Sequence, residues 1–233
     1  VAARKQPCGR TRFVIAVGSF VAACSGAAAE DIGSLALARN DVREIAPVVT
    51  ALSAGSSVAR NETVRTGADS SARIVFIDNT NLSMGPIATM KMDASVYSGN
   101  GGGARAVSAK LTAGAFRFVT GSGPKRDYKI DTPLATVGVR GTILDFLIER
   151  GREIVVLREG AARVCVKGGQ CIDLEHAGEA VIITATTGGA RIRLTGAPPW
   201  TFDQSCNGDP ALCETTRYAS LEPAGVGGVL CGR

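Results

Sequence analysis

The chain is predicted to be all-β, a single domain of short strands, and three observations predict it. Apolar runs of about five residues recur, with a turn signal every eight to twelve residues, as in sandwiches, barrels and solenoids. The 29 glycines accompany Val, Ile, Leu and Thr rather than aromatics, which make up only 5%, and that balance suits turn-rich β structure. Outside the amino-terminal apolar run, no stretch holds a 3.6-residue period over three turns. The expected arrangement is solenoid-like or a twisted two-layer stack, followed by an irregular tail.

Residues 1–29 read as a signal peptide. Arg4, Lys5, Arg10 and Arg12 precede the apolar run 13–23, and small residues follow it. The run is too short to span a bilayer, which takes about 20 apolar residues. Two processing readings stand. Ala27, Ala28 and Ala29 before Glu30 suit an ordinary signal peptidase. Val21, Ala22, Ala23 and Cys24 resemble a bacterial lipobox, with Cys24 lipidated and the mature chain lipid-anchored. No membrane span is expected in the mature chain. Taking the four leader bases from the 26 Lys and Arg leaves 22 against 21 acids. A near-neutral chain without a basic block argues against nucleic acid as a partner.

A β domain is expected over 30–196. Residues 32–39 read as its first strand, and 41–47 are polar and turn-like. Residues 48–58 hold V-V-T-A-L and then the turn S-A-G-S. Residues 62–66 alternate, 72–77 and 81–84 are strands, and 89–96 alternate weakly after Pro86. The run G-N-G-G-G within 97–106 reads as a loop tip. It is not a phosphate cradle, because neither a helix start nor a Lys-Ser/Thr pair follows. Residues 110–119 and 128–131 flank the turn T-G-S-G-P-K-R-D. The strongest apolar pair is 142–148 with 154–157, around the charged turn 149–152, and 158–160 reads as another turn. Residues 181–186 are the last core strand. A-R-I-R-L at 190–194 alternates as an edge strand would, arginines outward.

Between these strands lies D-T-P-L-A-T-V-G-V-R-G-T, 131–142. Pro133 fixes its own φ, removes a donor and pushes Thr132 toward an extended conformation. Gly138 and Gly141 stand where β-branched residues would be expected in a buried strand, so they mark a bulge, bend or close approach. The reading is a kink at Pro133, a second at 138–141, and a corner joining two layers. An arginine between two glycines in an apolar corner needs a carboxylate. For Arg140 the candidates are Asp131 and Asp145. The pair would tie the corner down, or the guanidinium would face a groove and bind a partner.

This motif, followed by the apolar run 143–148, resembles the signature of the FecR domain family. L-S-A-G-S-S-V at 52–58, the stretch from V-R-T-G-A-D-S-S to M-G-P at 64–86, L-T-A-G-A-F-R-F at 111–118 and V-V-L-R-E-G-A-A-R-V at 155–164 fit it in order. The likeness spans 35–185. It implies a non-catalytic periplasmic interaction module engaging an outer-membrane receptor or another envelope protein in sensing or signalling; in the named family such domains relay ferric-citrate transport status. The motif residues carried over are Asp131, Thr132, Pro133, Gly138, Arg140, Gly141 and Thr142. Signalling members carry a cytoplasmic sigma-factor-binding segment and a membrane helix before this domain. No stretch here reads as either, so an accessory or scaffold is expected. The alternative is a glycan- or small-ligand-binding envelope protein with a groove across the strands. One tryptophan and three tyrosines offer little aromatic surface for it.

In an oxidising compartment the close cysteine pairs read as disulfides. A three-residue loop at 167–169, with Gly169 in the left-handed position, places Cys165 opposite Cys171. Cys206 and Cys213 bracket N-G-D-P-A-L in the tail, 197–233. Cys231 is left over, free or paired with another chain. A helix is expected from Pro210 toward Tyr218, capped by Asp209, and Trp200 is expected to anchor the tail over an open end. No metal, cofactor or enzyme activity is expected. The spacings are not those of zinc sites, His176 is the only histidine, and no nucleophile motif accompanies it. Glu62, Asp69, Asp78 and Asp131 lie in turns, where carboxylates cap backbone.

Overall fold

The computed structural model describes residues 31–92, 106–121, 127–206, 209–213 and Thr215. The predicted leader with Cys24, the glycine-rich tip at 97–105, Cys231 and the tail beyond Thr215 lie outside them. Among the described residues the strands are β1 Asp31–Arg39, β2 Val42–Ile45, β3 Val49–Ala51, β4 Ser57–Ala59, β5 Thr63–Thr66, β6 Ser71–Phe76, β7 Asn81–Met84, β8 Thr89–Met92, β9 Ala106–Val119, β10 Asp127–Asp131, β11 Ala135–Glu149, β12 Arg152–Val166, β13 Cys171–Leu174, β14 Ala180–Thr186 and β15 Gly189–Thr195. The chain is all-β, as its composition predicts, and the strands join into one mixed sheet.

Three strands are long, which corrects the expectation that all would be short. β9 has 14 residues, and β11 and β12 have 15 each. Each is two short strands joined by a bend, and each carries a glycine at positive φ: Gly114 at 100°, Gly141 at 65° and Gly160 at 84°. A β-branched residue cannot take that conformation without strain. The halves on either side have different neighbours. Residues 135–140 of β11 pair with β10 and with 161–166 of β12. Residues 143–149 pair with 152–159 of β12, and 143–148 with 114–119 of β9.

The sheet therefore folds back over itself into two layers. The first runs β15, β14, β12, β11, β9, β7, β6, β1, β4; the second runs β13, β12, β11, β10, β9, β8, β5, β2, β3. Alternate side chains of both layers meet in one core. Ile74, Leu82, Phe116 and Phe146 come from the first layer, and Val64, Met90, Val137 and Val164 from the second. Burying each such side chain contributes about 1.5–3 kcal/mol. Of the two expected arrangements this is the two-layer stack, not the solenoid.

Several local expectations change. Residues 41–47 contain β2 rather than only a turn, and 158–160 form the bend inside β12 rather than a turn. Gly138 is no kink; it sits in regular register opposite Arg163. The bend belongs to Gly141, where the β11–β12 register shifts. Gly160 packs behind it so closely that a Cβ there would lie 2.3 Å from the Gly141 carbonyl oxygen.

After β15 the tail crosses the outer face of the first layer instead of closing an open end. Trp200, Phe202 in the 3₁₀ turn Phe202–Ser205, Cys206, and Leu212 in the one-turn helix Pro210–Cys213 pack on Ala115, Ile154, Val156 and Ala180. Asp209 caps that helix as expected, its Oδ1 accepting from the Ala211 amide at 3.0 Å.

Beneath the tail, Arg117 and Asp145 stand directly opposite each other on β9 and β11. Their side chains are 1% and 0% exposed. Nε donates to Oδ1 at 2.7 Å and Nη2 to Oδ2 at 2.8 Å. The remaining valences reach the tail. Arg117 Nη1 donates to the Cys213 carbonyl and Nη2 to Asp203 Oδ1, both at 2.9 Å. The Phe202 amide donates to Asp145 Oδ2 at 3.1 Å, and its ring lies 5.3 Å from the guanidinium. Burial alone would lower the Arg117 pKa, but Asp145 and Asp203 together raise it.

Gly160→Ala forces both a strained φ and a backbone overlap, so it is expected to cost at least about 1–3 kcal/mol. Denaturant unfolding of the purified variant checks this; Gly138→Ala, with no neighbour within 4 Å of its Cβ, is expected to lose nothing.

Candidate functional site

The predicted motif splits into two parts that do different things. Its first half builds a buried hydrogen-bond network. Thr132 is fully buried. Its hydroxyl accepts from the Ala135 amide at 2.9 Å and lies 3.0 Å from the Ala135 carbonyl and 2.6 Å from Glu153 Oε2. Glu153 Oε1 accepts from the Leu134 amide at 2.8 Å. Pro133 is exposed at the crest of this turn. Glu153 is 1% exposed, and burial raises its pKa although Thr132 and Leu134 oppose the shift. Protonated, it donates to Thr132 Oγ1, freeing the Thr132 hydroxyl hydrogen for the Ala135 carbonyl. Every donor then has its own acceptor.

Asp131 works locally. Its Oδ1 accepts from the Thr136 hydroxyl at 2.6 Å, and Lys129 pairs with Oδ2 at 3.0 Å. Burial would raise its pKa, but these two groups and Lys167 lower it. Thr142 is buried past the bend. Its carbonyl accepts from the amide and hydroxyl of Thr120, both at 3.1 Å, while its own hydroxyl has no hydrogen-bond partner among the described residues.

The second half of the motif faces outward. Gly138 and Arg140 line a shallow groove of about 300 Å³ on the second layer, with Ala161, Arg163, Asp173 and Tyr128. The buried side chains of Val139, Ala162 and Leu174 also line it. Arg163 and Asp173 form an ion pair of 3.6 Å along one side. Neither carboxylate expected for Arg140 pairs with it. Asp131 is taken by Lys129 and Asp145 by Arg117, and Arg140 is exposed and makes no ion pair among the described residues.

Both expected disulfides are present. Cys165 and Cys171 face each other in the β12–β13 register, Cα atoms 4.0 Å apart. The left-handed residue of their loop is Gly168, at φ 77°, not Gly169. Cys206 and Cys213 are 5.6 Å apart at Cα. Asp203 lies beside their sulfurs, but bonded sulfurs offer no thiolate to a metal. His176 is exposed in a turn, where Glu179 accepts from the amides of Glu175 and His176. The turn carboxylates also serve the fold. Asp78 accepts from the Thr80 amide and the Tyr128 hydroxyl, and Glu62 from the Ala59 amide.

Residues 62–163, from the turn before β5 into the second half of β12, match the family model described as FecR protein. These residues form a FecR domain. The match takes in the whole 131–142 motif and most of the groove. No curated protein matches the chain. Two crystal structures of a "putative anti-sigma factor" from Parabacteroides distasonis, at 2.50 and 1.65 Å resolution, are similar to it at 14% identity and a TM-score of 0.49. The likeness covers 58% of this chain and 60% of theirs, and a likeness of that size carries no functional weight.

Sequence reading missed Glu153, which lies in no motif and reads as the charged start of an apolar strand. Its pKa is raised from an ordinary value of 4.5, so the folded state holds its proton more tightly than the unfolded chain. Its contribution to stability is greatest below that ordinary value and is lost as pH rises through the raised one. Glu153→Gln mimics the protonated acid and is expected to remove this loss. Melting curves across pH check it: wild-type Tm should fall relative to the variant as pH rises, and parallel profiles would contradict the network.

Proposed function

We propose that this FecR domain is a non-catalytic regulatory module of the bacterial cell envelope, exported to the periplasm, which holds an envelope or outer-membrane protein at the groove beside Arg140. The observation that carries the reading is the exposed Arg140 guanidinium, without an ion pair among the described residues, which lines the groove together with Gly138 and Ala161. A cation held on a rigid strand, with no carboxylate paired to it among the described residues, is suited to a carboxylate on a partner. Two disulfides suit an oxidising compartment. Among the described residues no helix is long and apolar enough to cross a membrane, which fits a domain that meets its partner outside the bilayer. Glu62, Asp78 and Asp131 are engaged with backbone, hydroxyl and lysine groups, which favours a binding module over a hydrolase. Glycan binding is the weaker reading. The aromatic residue of the groove, Tyr128, is 5% exposed, with its ring edge-on to Phe118 and its hydroxyl on Asp78, so it presents little face for a sugar to stack on.

A photo-crosslinking residue placed at Gly138 in the exported protein tests the proposal in the envelope of the producing cell. A discrete protein adduct is expected. Arg140→Ala should abolish it at unchanged Tm. An adduct that survives Arg140→Ala, or a variant that fails to fold, would count against a binding role for Arg140.

A further inference from the structure

The outer face of the second layer carries an arrangement that works against the fold. Arg43 of β2 stands directly opposite Arg65 of β5, and Lys91 of β8 directly opposite Lys110 of β9. Their strand neighbours Val42, Val64, Met90, Met92, Ala109 and Leu111 are buried, so all four cations point outward. Thr63 faces Lys91 and Arg65 faces Thr89, which makes Arg65 and Lys91 diagonal neighbours. The two pairs thus join into one band across four adjacent strands. Like charges directly opposite each other in an antiparallel pair are destabilising. Arg43 has the exposed Asp41 beside it, and Lys110 has Asp131 opposite it on β10, where Lys129 takes the carboxylate; Arg65, Lys91 and Lys110 make no ion pair among the described residues.

A second, independent feature adjoins the band. The β2–β3 hairpin ends in Ile45-Ala46-Pro47-Val48-Val49, five residues with no polar side chain. Val48 is 75% exposed and Val49 54%. Ile45 pairs with Val49 one residue beyond Glu44, which faces Val64. The tip therefore leaves the sheet at the level of Thr63, Lys91 and Lys110, and from the same end.

We propose that this end of the second layer docks on a lipid surface bearing anionic headgroups, the apolar tip entering the interface and the four cations facing the phosphates. The inference goes beyond the groove reading and does not depend on it. A charge-free projection flanked by bases is the combination that interfacial binding uses, burial of apolar surface plus attraction to anionic lipid. An acidic protein would account for the cations but would leave a projecting apolar hairpin in water. A nucleic acid would call for aromatic platforms, and neither band nor tip contains an aromatic residue.

Co-sedimentation of the full chain with phosphatidylcholine vesicles, with and without phosphatidylglycerol, tests the assignment. Residues 1–30 are common to every variant, so differences between variants report on the domain. Binding to the phosphatidylglycerol vesicles should fall at least about tenfold in Lys91→Ala/Lys110→Ala, with Tm no lower than wild type because a like-charge pair is gone. Val48→Ser/Val49→Ser should lose binding comparably. Arg191→Ala/Arg193→Ala, which removes the same charge from β15 at the far edge, should bind as wild type. An equal loss in that control would reduce the effect to net charge and overturn the proposal. Unchanged binding in the tip variant would overturn it in favour of an acidic partner, as would tighter binding to polyglutamate than to vesicles.

Discussion

Arg117 and Asp145 meet on the first layer with almost no solvent exposure, and the rest of the architecture is arranged around that fact. Two opposite charges taken out of water are costly unless every valence is met. The sheet satisfies only two of them, through the fork between guanidinium and carboxylate. The others are met by Asp203, the Cys213 carbonyl and the Phe202 amide. The pair therefore needs the tail, and the tail, short and irregular, needs the pair to fix where it lies. A buried ion pair seldom adds net stability over apolar residues of similar volume, and its better attested role is to specify register. Here it specifies which sheet face is covered. The first layer is roofed by the tail; among the described residues the second keeps its outer face, its groove and its band of cations open.

The bends at Gly114, Gly141 and Gly160 create the two faces in the first place. Each lets a long strand leave one layer and enter the other, so the core is enclosed by a single sheet. The corner motif is built to hold the middle bend. Thr132 and Glu153 lock the turn before β11, Thr142 anchors to Thr120 just after the bend, and Gly138 and Arg140 are left on the outward side. Structure and surface are thus divided residue by residue along one twelve-residue stretch.

Much of this was legible. Period-2 alternation gave the strands, glycine within an apolar run gave the bend at Gly141, and hairpin arithmetic placed Cys165 opposite Cys171. The arginines of β15 and the Asp209 cap were also readable, because each depends on neighbours a few residues away. The misreadings share a cause. Arg117 alternates with phenylalanines and nothing local singles it out; its burial is decided by a tail 86 residues further along. Arg140 sits between glycines and reads as buried, yet it is exposed, and no described segment covers the second layer there. Gly160 reads as the end of a turn because sequence does not distinguish a glycine that ends a strand from one that bends it.

The Arg117–Asp145 pair fixes the tail on the first layer, and the stability of single and double variants, read together with protection of the tail, tests this. Asp145→Ala alone should cost about 3–5 kcal/mol by leaving a buried guanidinium unpaired. Arg117→Met with Asp145→Leu should recover most of that stability. In that double variant the Cys206–Cys213 disulfide should become readily reducible and the tail open to protease, while Cys165–Cys171 is unaffected. A double variant whose tail remained protected, or an Asp145→Ala protein within about 1 kcal/mol of wild type, would contradict the claim.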